Sequence, residues 1–582
     1  MGTHLTLWNK IEMRRHTAVV RNELAPTKVL QNATYLNSAL KQWSTGNIWL
    51  YEDRIVYVGS RMPENTDGVE ITDVEGKFVV PGYIEPHCHP FQLYNPQTLS
   101  QYALQRGTAT FLCDNFALLF ELSVTKALTL MENMNELPAT FFWWCRYDAQ
   151  TELLEEEKYF SVTSIKKLLD SPWVLQGGEL TSWPRVLQGD DTILQWMKDT
   201  KRAGKRIEGH LPGASEKTLQ QMVLLGVDCD HEAMTGAEAI DRLNAGLTLS
   251  LRYSSIRPDL PKLLRELKEE GVTNFDRIFM TTDGSTPGFY KDGVTDEMLR
   301  IALDAGIEPL DAYQMASYNV ARYYQLDHLF GMVAPGRIAH LNILSDKNNP
   351  LPEAVLAKGE WVKKDGSAVK TERDQEFDWE GHGIQKRDFD WELTMEDFRF
   401  SGLVGIEMYN SVITRPYNVS IDTTVDIIHE DSDECFLMLV DRNGKWHINT
   451  VVKGFAKNLA GFASTYSNTG DILLIGKNKV EMKRAFDRAK EIGGGIVLTE
   501  DGAVVAEIKL PLAGGMSNSA VEELIVEEKT LTEELRARGY VYEDPIYSLL
   551  FFSSTHLPYI RITQRGIYDV KNKGLLFPSI MR

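Results

Sequence analysis

The sequence predicts an α/β protein centred on a (β/α)₈ TIM-like barrel, with a small sheet contributed from both sides of it and an α+β region behind. Three observations lead there. Eight apolar, strand-length segments alternate with amphipathic helical stretches through the middle of the chain. Short alternating strands occur before that middle and return after it. In the last third, a strand, a helix, a glycine turn and a hairpin follow one another. A doubly wound open sheet competes with the barrel, because counting strands does not decide whether they close.

The eight middle strands are KFVVPGYI, TATFLCD, ATFFWWC, WVLQGGE, KRIEGHL, VDCDHE, LTLSL and RIFMTTD. Between them lie helical segments such as DTILQWMKDTKRAG and EKTLQQMVLLG. IWLYEDRIVYVG and GVEITDVEGKFVVPG supply the strands before the barrel, within a stretch from about Gln31 to Lys77. GRIAHLNILSD and AVLAKGEWVKKDG supply those after it, so one small sheet domain can form from both ends. The expected division is 1–77 for the N-terminal segment and first sheet part, 78–330 for the barrel and 331–370 for the second sheet part. A charged linker over 371–396 then leads to the α+β domain at 397–582. The MRRH cluster near the N-terminus reads as a solvated helix face.

With 582 residues, two or three domains are expected. The 43% hydrophobic and 25% charged residues are the balance of a globular chain rather than a disordered one. Against 62 basic residues stand 82 acidic ones, a net charge of −20 that repels nucleic acid and anionic membranes. The expected partner is therefore a small molecule, with neither nucleic acid nor membrane; a homodimer is compatible with this reading. Cys88, Cys113, Cys145, Cys229 and Cys435 form no CxxC pair, as reduced cytoplasmic thiols would. No secretory signal or membrane-length apolar run is seen.

The candidate chemistry lies at strand ends. His87 and His89 follow VVPGYIEP two residues apart, so both imidazoles can face the barrel mouth. Glu179 ends WVLQGGE, where a carboxylate can ligate a metal or simply form a salt bridge. His210 ends KRIEGH, and His231 lies in VDCDHE. Each alone reads as an ordinary polar residue; four imidazoles and a carboxylate at successive strand ends suit zinc, iron or manganese. Asp283 ends RIFMTTD before Gly284. An isolated Asp-Gly would be a turn, but at the eighth strand end this carboxylate can relay a proton from metal-bound water. GDILLIGK lacks phosphate-loop spacing, and the HExxH and cytidine-deaminase signatures are absent.

The ordered set His87, His89, Glu179, His210, His231 and Asp283 resembles the binuclear amidohydrolase superfamily. With VVPGYIEPHCH, GGELTSWPRVL, EGHLPGASEKTLQQMVLLGVDCDHE and EIGGGIVLTEDGAVVAEIKLPLAGGMS, the chain resembles the adenine deaminase family from about residue 30 onward. The resemblance implies the barrel, a small composite β-sandwich and a C-terminal α+β domain. It also implies two divalent metal ions, Mn2+ or Fe2+ with Zn2+ as the alternative, bridged by Glu179. His87, His89 and Asp283 would hold one ion, and His210 and His231 the other. Water activated between them would attack C6 of adenine, and Asp283 would pass its proton to the departing amine, giving hypoxanthine and ammonia. Glu179 and Asp283 are thus the expected catalytic residues, in a purine-salvage role.

Four segments depart from that family. Pro90-Phe91-Gln92 follows the histidine pair in place of Ile-Glu-Ser, and FFWWCRYDAQTE replaces a Pro-Ser-Cys-like turn. STYSNTGD stands where His-Asp-x-His is typical, and Ala339-His340 where Ala-Asp is. Two alternatives to adenine deamination therefore stay open: hydrolysis of another small nitrogen heterocycle or cyclic amide, and a metal-binding paralogue without turnover.

Overall fold

The computed structural model describes residues 9–400 and 404–582. Eight parallel strands lie in chain order in one sheet: Tyr83–Cys88, Thr108–Cys113, Thr140–Cys145, Val174–Leu180, Arg206–Gly209, Cys229–Asp230, Thr248–Arg252 and Ile278–Thr281. Almost all of their residues are buried, which is why they read as unbroken apolar runs. The eighth strand returns to the first. Thr281 Oγ1 donates to Glu85 Oε1 at 2.5 Å and to the His87 carbonyl at 2.9 Å, and Thr282 N donates to Glu85 Oε2 at 3.1 Å. The strands therefore close into a barrel, and the open sheet is excluded. The helices expected between them include Asp191–Arg202 and Glu216–Leu224.

The first expected strand, KFVVPGYI, is two. Phe78–Pro81 pairs with Lys28–Asn37 and Leu341–Leu344 outside the barrel, and the barrel strand begins at Tyr83. Gly82 is the crossing point: a Cβ there would lie 2.9 Å from His340 Cβ and 3.0 Å from Ala109 Cβ. One apolar run thus serves two sheets.

The flanking sheet has nine strands. Five precede the barrel, starting at Lys28 rather than Gln31, and four follow it between Leu341 and Ala368. It folds over onto itself around Leu30, Ile48, Leu50, Val79, Leu341 and Leu356. Trp361 Nε1 donates to Glu70 Oε1 at 2.9 Å across the fold. The composite sandwich is thus one open nine-stranded sheet folded over a shared core. Ahead of it, helix Lys10–Val20 is capped by Asn9 and Glu12 and buries only Val19; Met13, Arg14 and Arg15 of the MRRH cluster are exposed, while His16 is half-buried with its ring edge-on to Tyr51.

Among the described residues, 369–400 contain no helix or strand. They nevertheless pack down, because Trp379, Ile384, Phe389 and Leu393 punctuate the charges and are buried. Beyond them a second nine-stranded sheet carries the expected series Ile472–Gly476, helix Lys479–Ile492, Gly495–Glu500 and Ala503–Lys509. Lys477 donates to the carbonyls of His429, Glu430 and Ser432 at 3.0, 3.0 and 2.6 Å, so GDILLIGK holds its own backbone rather than a phosphate. All five cysteines are buried and unpaired. No helix among the described residues is long and apolar enough to cross a membrane.

Candidate metal centre

All six side chains singled out in the sequence meet at the C-terminal mouth of the barrel. His87 is the penultimate residue of the first strand, and His89 follows that strand's end. Glu179 sits within the fourth strand. His210 and His231 directly follow the fifth and sixth, and Asp283 lies two residues beyond the eighth. Three overlapping triads have ligand atoms within 4.8 Å of one another: His87/His89/Glu179, His87/His231/Asp283 and Glu179/His210/His231.

The hydrogen bonds behind these imidazoles decide which nitrogen faces inward. His87 Nδ1 lies 2.9 Å from Glu208 Oε1, and His231 Nδ1 lies 3.2 Å from the same oxygen. His89 Nδ1 lies 3.0 Å from Asp114 Oδ2. For His89 and His231, with Nδ1–H donated to a carboxylate, the Nε2 lone pair points to the centre; the Nε2 of His87 lies beside them. There they meet acceptors: His87 Nε2 is 3.0 Å and His89 Nε2 3.3 Å from Asp283 Oδ1, and His231 Nε2 is 3.4 Å from Glu179 Oε1. His210 Nδ1 is 2.5 Å from Glu179 Oε1. Both ring nitrogens of His87, and Asp283 Oδ1, are buried and have no hydrogen-bond partner. Acceptors converging on acceptors in a buried site require cations between them, and this nitrogen–oxygen set fits divalent metal ions.

Charge agrees with geometry. Asp114, Glu179, Glu232 and Asp283 pair with three guanidiniums, those of Arg146, Arg252 and Arg257, Arg257 is shared with Asp259, and Glu208 faces only imidazoles. Protons compete with metal for the surplus. Burial alone would lower the pKa of His89, but the neighbouring carboxylates of Asp114 and Asp283 outweigh that and hold it up at about 9. Burial works against the ionised Asp283 as well, and Arg252 overcomes it, holding the carboxyl well below its ordinary range.

The residues around the ligands were not read from the sequence. Glu208, on the fifth strand two residues before His210, is hydrogen-bonded to His231 Nδ1 and lies beside His87 Nδ1. Arg146 grips Asp114 through two bonds of 2.7 and 3.0 Å and reaches Glu179 Oε2 at 3.1 Å. Arg252 joins Asp283 Oδ2 to Glu232 Oε1, each at 2.6 Å. A signal was present, since Asp114, Arg146, Glu232 and Arg252 are charges at the ends of apolar strands. Gly284 has a steric reason: a Cβ there would lie 2.5 Å from His89 N and Cβ, and φ is +65°.

A cavity of about 520 Å³ opens above the centre. His89, Glu179, His210 and Asp283 form its floor, and residues from the C-terminal region, including Tyr466, Tyr547 and His556, line it from the other side. Three of the four departing segments border it, through Phe91 and Gln92, through Gln150, and through Thr465–Gly470. Tyr466 OH donates to Gln92 Oε1, joining two of them. His340 is elsewhere, with Nε2 3.0 Å from Thr140 Oγ1.

The barrel and its strand-end cluster define an amidohydrolase: residues 78–362 match the model described as Amidohydrolase family. Residues 411–574 match the one described as Adenine deaminase C-terminal domain. The chain is 52% identical to a Bacillus cereus protein named "Putative adenine deaminase", over 100% of this chain and 98% of that one. It is 51% identical to "Putative adenine deaminase YerA" of Bacillus subtilis over 99% of each. An Oceanobacillus iheyensis protein named "Adenine deaminase" is 26% identical over 96% of this chain and 97% of its own. The chain belongs to the adenine deaminase family.

Proposed function

We propose that the protein hydrolyses adenine to hypoxanthine and ammonia at a centre of two divalent metal ions, Mn2+ or Fe2+ in preference to Zn2+. The observation that carries this reading is the convergence of four imidazole and two carboxylate side chains at the barrel mouth, four of them on the floor of the cavity. His87, His89 and Asp283 would hold one ion, and His210 and His231 the other, with Glu179 as the shared carboxylate. Ions held there supply Lewis-acid activation of water at neutral pH. The remaining work belongs to side chains. Arg252 keeps Asp283 ionised and fixes Oδ2, which leaves Oδ1 to accept a proton from water and deliver it to the departing nitrogen. Water adds at C6, the C6–N bond breaks, and ammonia leaves. The C-terminal region, taken as a domain from about residue 397, closes the cavity over the ring. Five unpaired cysteines support a cytoplasmic setting.

A second reading, hydrolysis of a related nitrogen heterocycle, is favoured by one observation: three of the departing segments line the cavity. Ammonia release from a panel of purines and cyclic amides by metal-replete protein separates the two. Adenine should give hypoxanthine and ammonia in equal amounts. Release only from another heterocycle would keep the chemistry and discard the substrate.

A further inference from the structure

Gln150 lies in the loop after the third barrel strand, within the segment FFWWCRYDAQTE that departs from the family pattern. Its backbone is left-handed, with φ at +57°. That conformation is costly for a residue with a side chain and is kept only where the surroundings impose it. Contacts from two sides impose it here. Gln150 N donates to Asp148 Oδ1 at 3.1 Å, and Asp148 Oδ2 accepts from Ser182 N, beyond the fourth strand, at 3.1 Å. From the C-terminal region, Thr555 N donates to the Gln150 carbonyl at 2.8 Å. The side chain therefore leaves a loop that the barrel and the C-terminal region both hold, as a binding group requires.

This half-buried side chain borders the cavity. Its amide end is placed by Glu179, whose Oε2 accepts from Gln150 Nε2 and from Arg146, each at 3.1 Å. A carboxylate can only accept, so the amide nitrogen must face Glu179 and the oxygen on the same carbon must turn away from it. That oxygen, Oε1, has no hydrogen-bond partner among the described residues, and it is open to a water-sized molecule. Other polar groups around the cavity are engaged. Gln92 Oε1 accepts from Tyr466, Glu232 pairs with Arg252 and Arg257, and Asn468 donates to the Leu550 carbonyl and Ser554. Gln150 thus shows the cavity a fixed, free acceptor beside the Glu179 carboxylate.

We propose that Gln150 is a substrate-recognition residue, its Oε1 accepting a ring N–H of the heterocycle bound over the metal centre. Adenine and hypoxanthine each carry a ring N–H. A ring that offers only lone pairs at that place is disfavoured, because two acceptors would meet. The segment after the third strand thereby takes a direct part in choosing the substrate. The inference rests on the deaminase reading above.

The test compares wild type, Gln150→Met and Gln150→Asn in metal-replete full-length protein. Methionine keeps the length of the side chain and removes the acceptor. Asparagine suits the left-handed backbone but stops one methylene short of the cavity. Hypoxanthine affinity is read by calorimetry, adenine turnover by ammonia release, and metal content by elemental analysis. Both variants should bind hypoxanthine about tenfold more weakly and raise KM for adenine more than they lower kcat. Metal content should be unchanged, since Arg146 still holds Glu179 Oε2. Wild-type hypoxanthine affinity in either folded variant overturns the proposal, and so does loss of metal, which would confine Gln150 to supporting Glu179. Wild type inert towards adenine would instead sink the adenine reading. The same comparison, with the same expected pattern, then moves to the panel heterocycle that does release ammonia and to its product. Inertness towards the whole panel overturns both.

Discussion

Replacing Glu208 by Gln should strip metal from the centre without unfolding the barrel. The Glu208 carboxylate accepts from Gln176 Nε2 at 2.7 Å and faces His87 Nδ1 and His231 Nδ1 at 2.9 and 3.2 Å. Burial opposes its ionised form, but the two imidazoles outweigh burial and hold its pKa low. Gln176 donates to Oε2 and the two imidazoles face Oε1, so an amide NH2 at either position meets a donor. At the Oε1 position it drives an imidazole proton to Nε2, which removes the lone pair aimed at the metal; at the Oε2 position the histidines still lose the carboxylate charge that raises their basicity. Losing such a carboxylate behind a ligating histidine lowers metal affinity about 10- to 100-fold, or about 1.4 to 2.7 kcal/mol. Titration of metal against a competing chelator measures that change, and circular dichroism reports whether the fold survives. A folded Glu208→Gln protein binding both ions with wild-type affinity would refute the tautomer argument.

Asp283→Asn should lower turnover about 10²- to 10⁴-fold, because an amide cannot accept the proton from water; near wild-type turnover in a steady-state assay would remove Asp283 from that role. Gly284→Ala should displace His89, since its Cβ would lie 2.5 Å from His89 N and Cβ, and reduce kcat/KM by up to about 10²-fold. Unchanged kcat/KM would show that the turn absorbs the methyl group elsewhere. Glu528 offers a test of pH dependence remote from the metals. Burial and neighbouring Asp544 raise its pKa from 4.5 to about 8, so the folded protein keeps a proton that the unfolded chain releases above 4.5. Its contribution to stability is full below pH 4.5 and is lost as pH rises towards 8, by at most about 1.4 kcal/mol per pH unit. Glu528→Gln has no such proton, and denaturant melts across that window should show a shallower decline; an unaltered slope would contradict the assignment.

Much of this was legible in the chain because barrel strands buried on both faces must be apolar until the residue that enters the mouth. TATFLCD and RIFMTTD each end on that change and ATFFWWC stops one residue before it, at Arg146; the eight strands and six ligands follow from it. KFVVPGYI misled because apolarity cannot distinguish one long strand from two that meet at Gly82. The ligands' supports were hidden for a different reason. A single Glu or Arg in a strand, such as Glu208 or Arg252, acquires its meaning from a neighbour on another strand, which local pattern does not name. The cavity roof was further still from view: Tyr466 meets Gln92 across 374 positions, and no periodicity relates them.

The most direct measurement of the account is anomalous diffraction from crystals of the manganese-loaded protein, collected near the manganese absorption edge. Two peaks are expected in the barrel mouth, one among His87, His89 and Asp283, one at His210 and His231, with Glu179 between them. A map with no peak among these six side chains, or one in which His210 and His231 engage no metal, would contradict the two-metal centre.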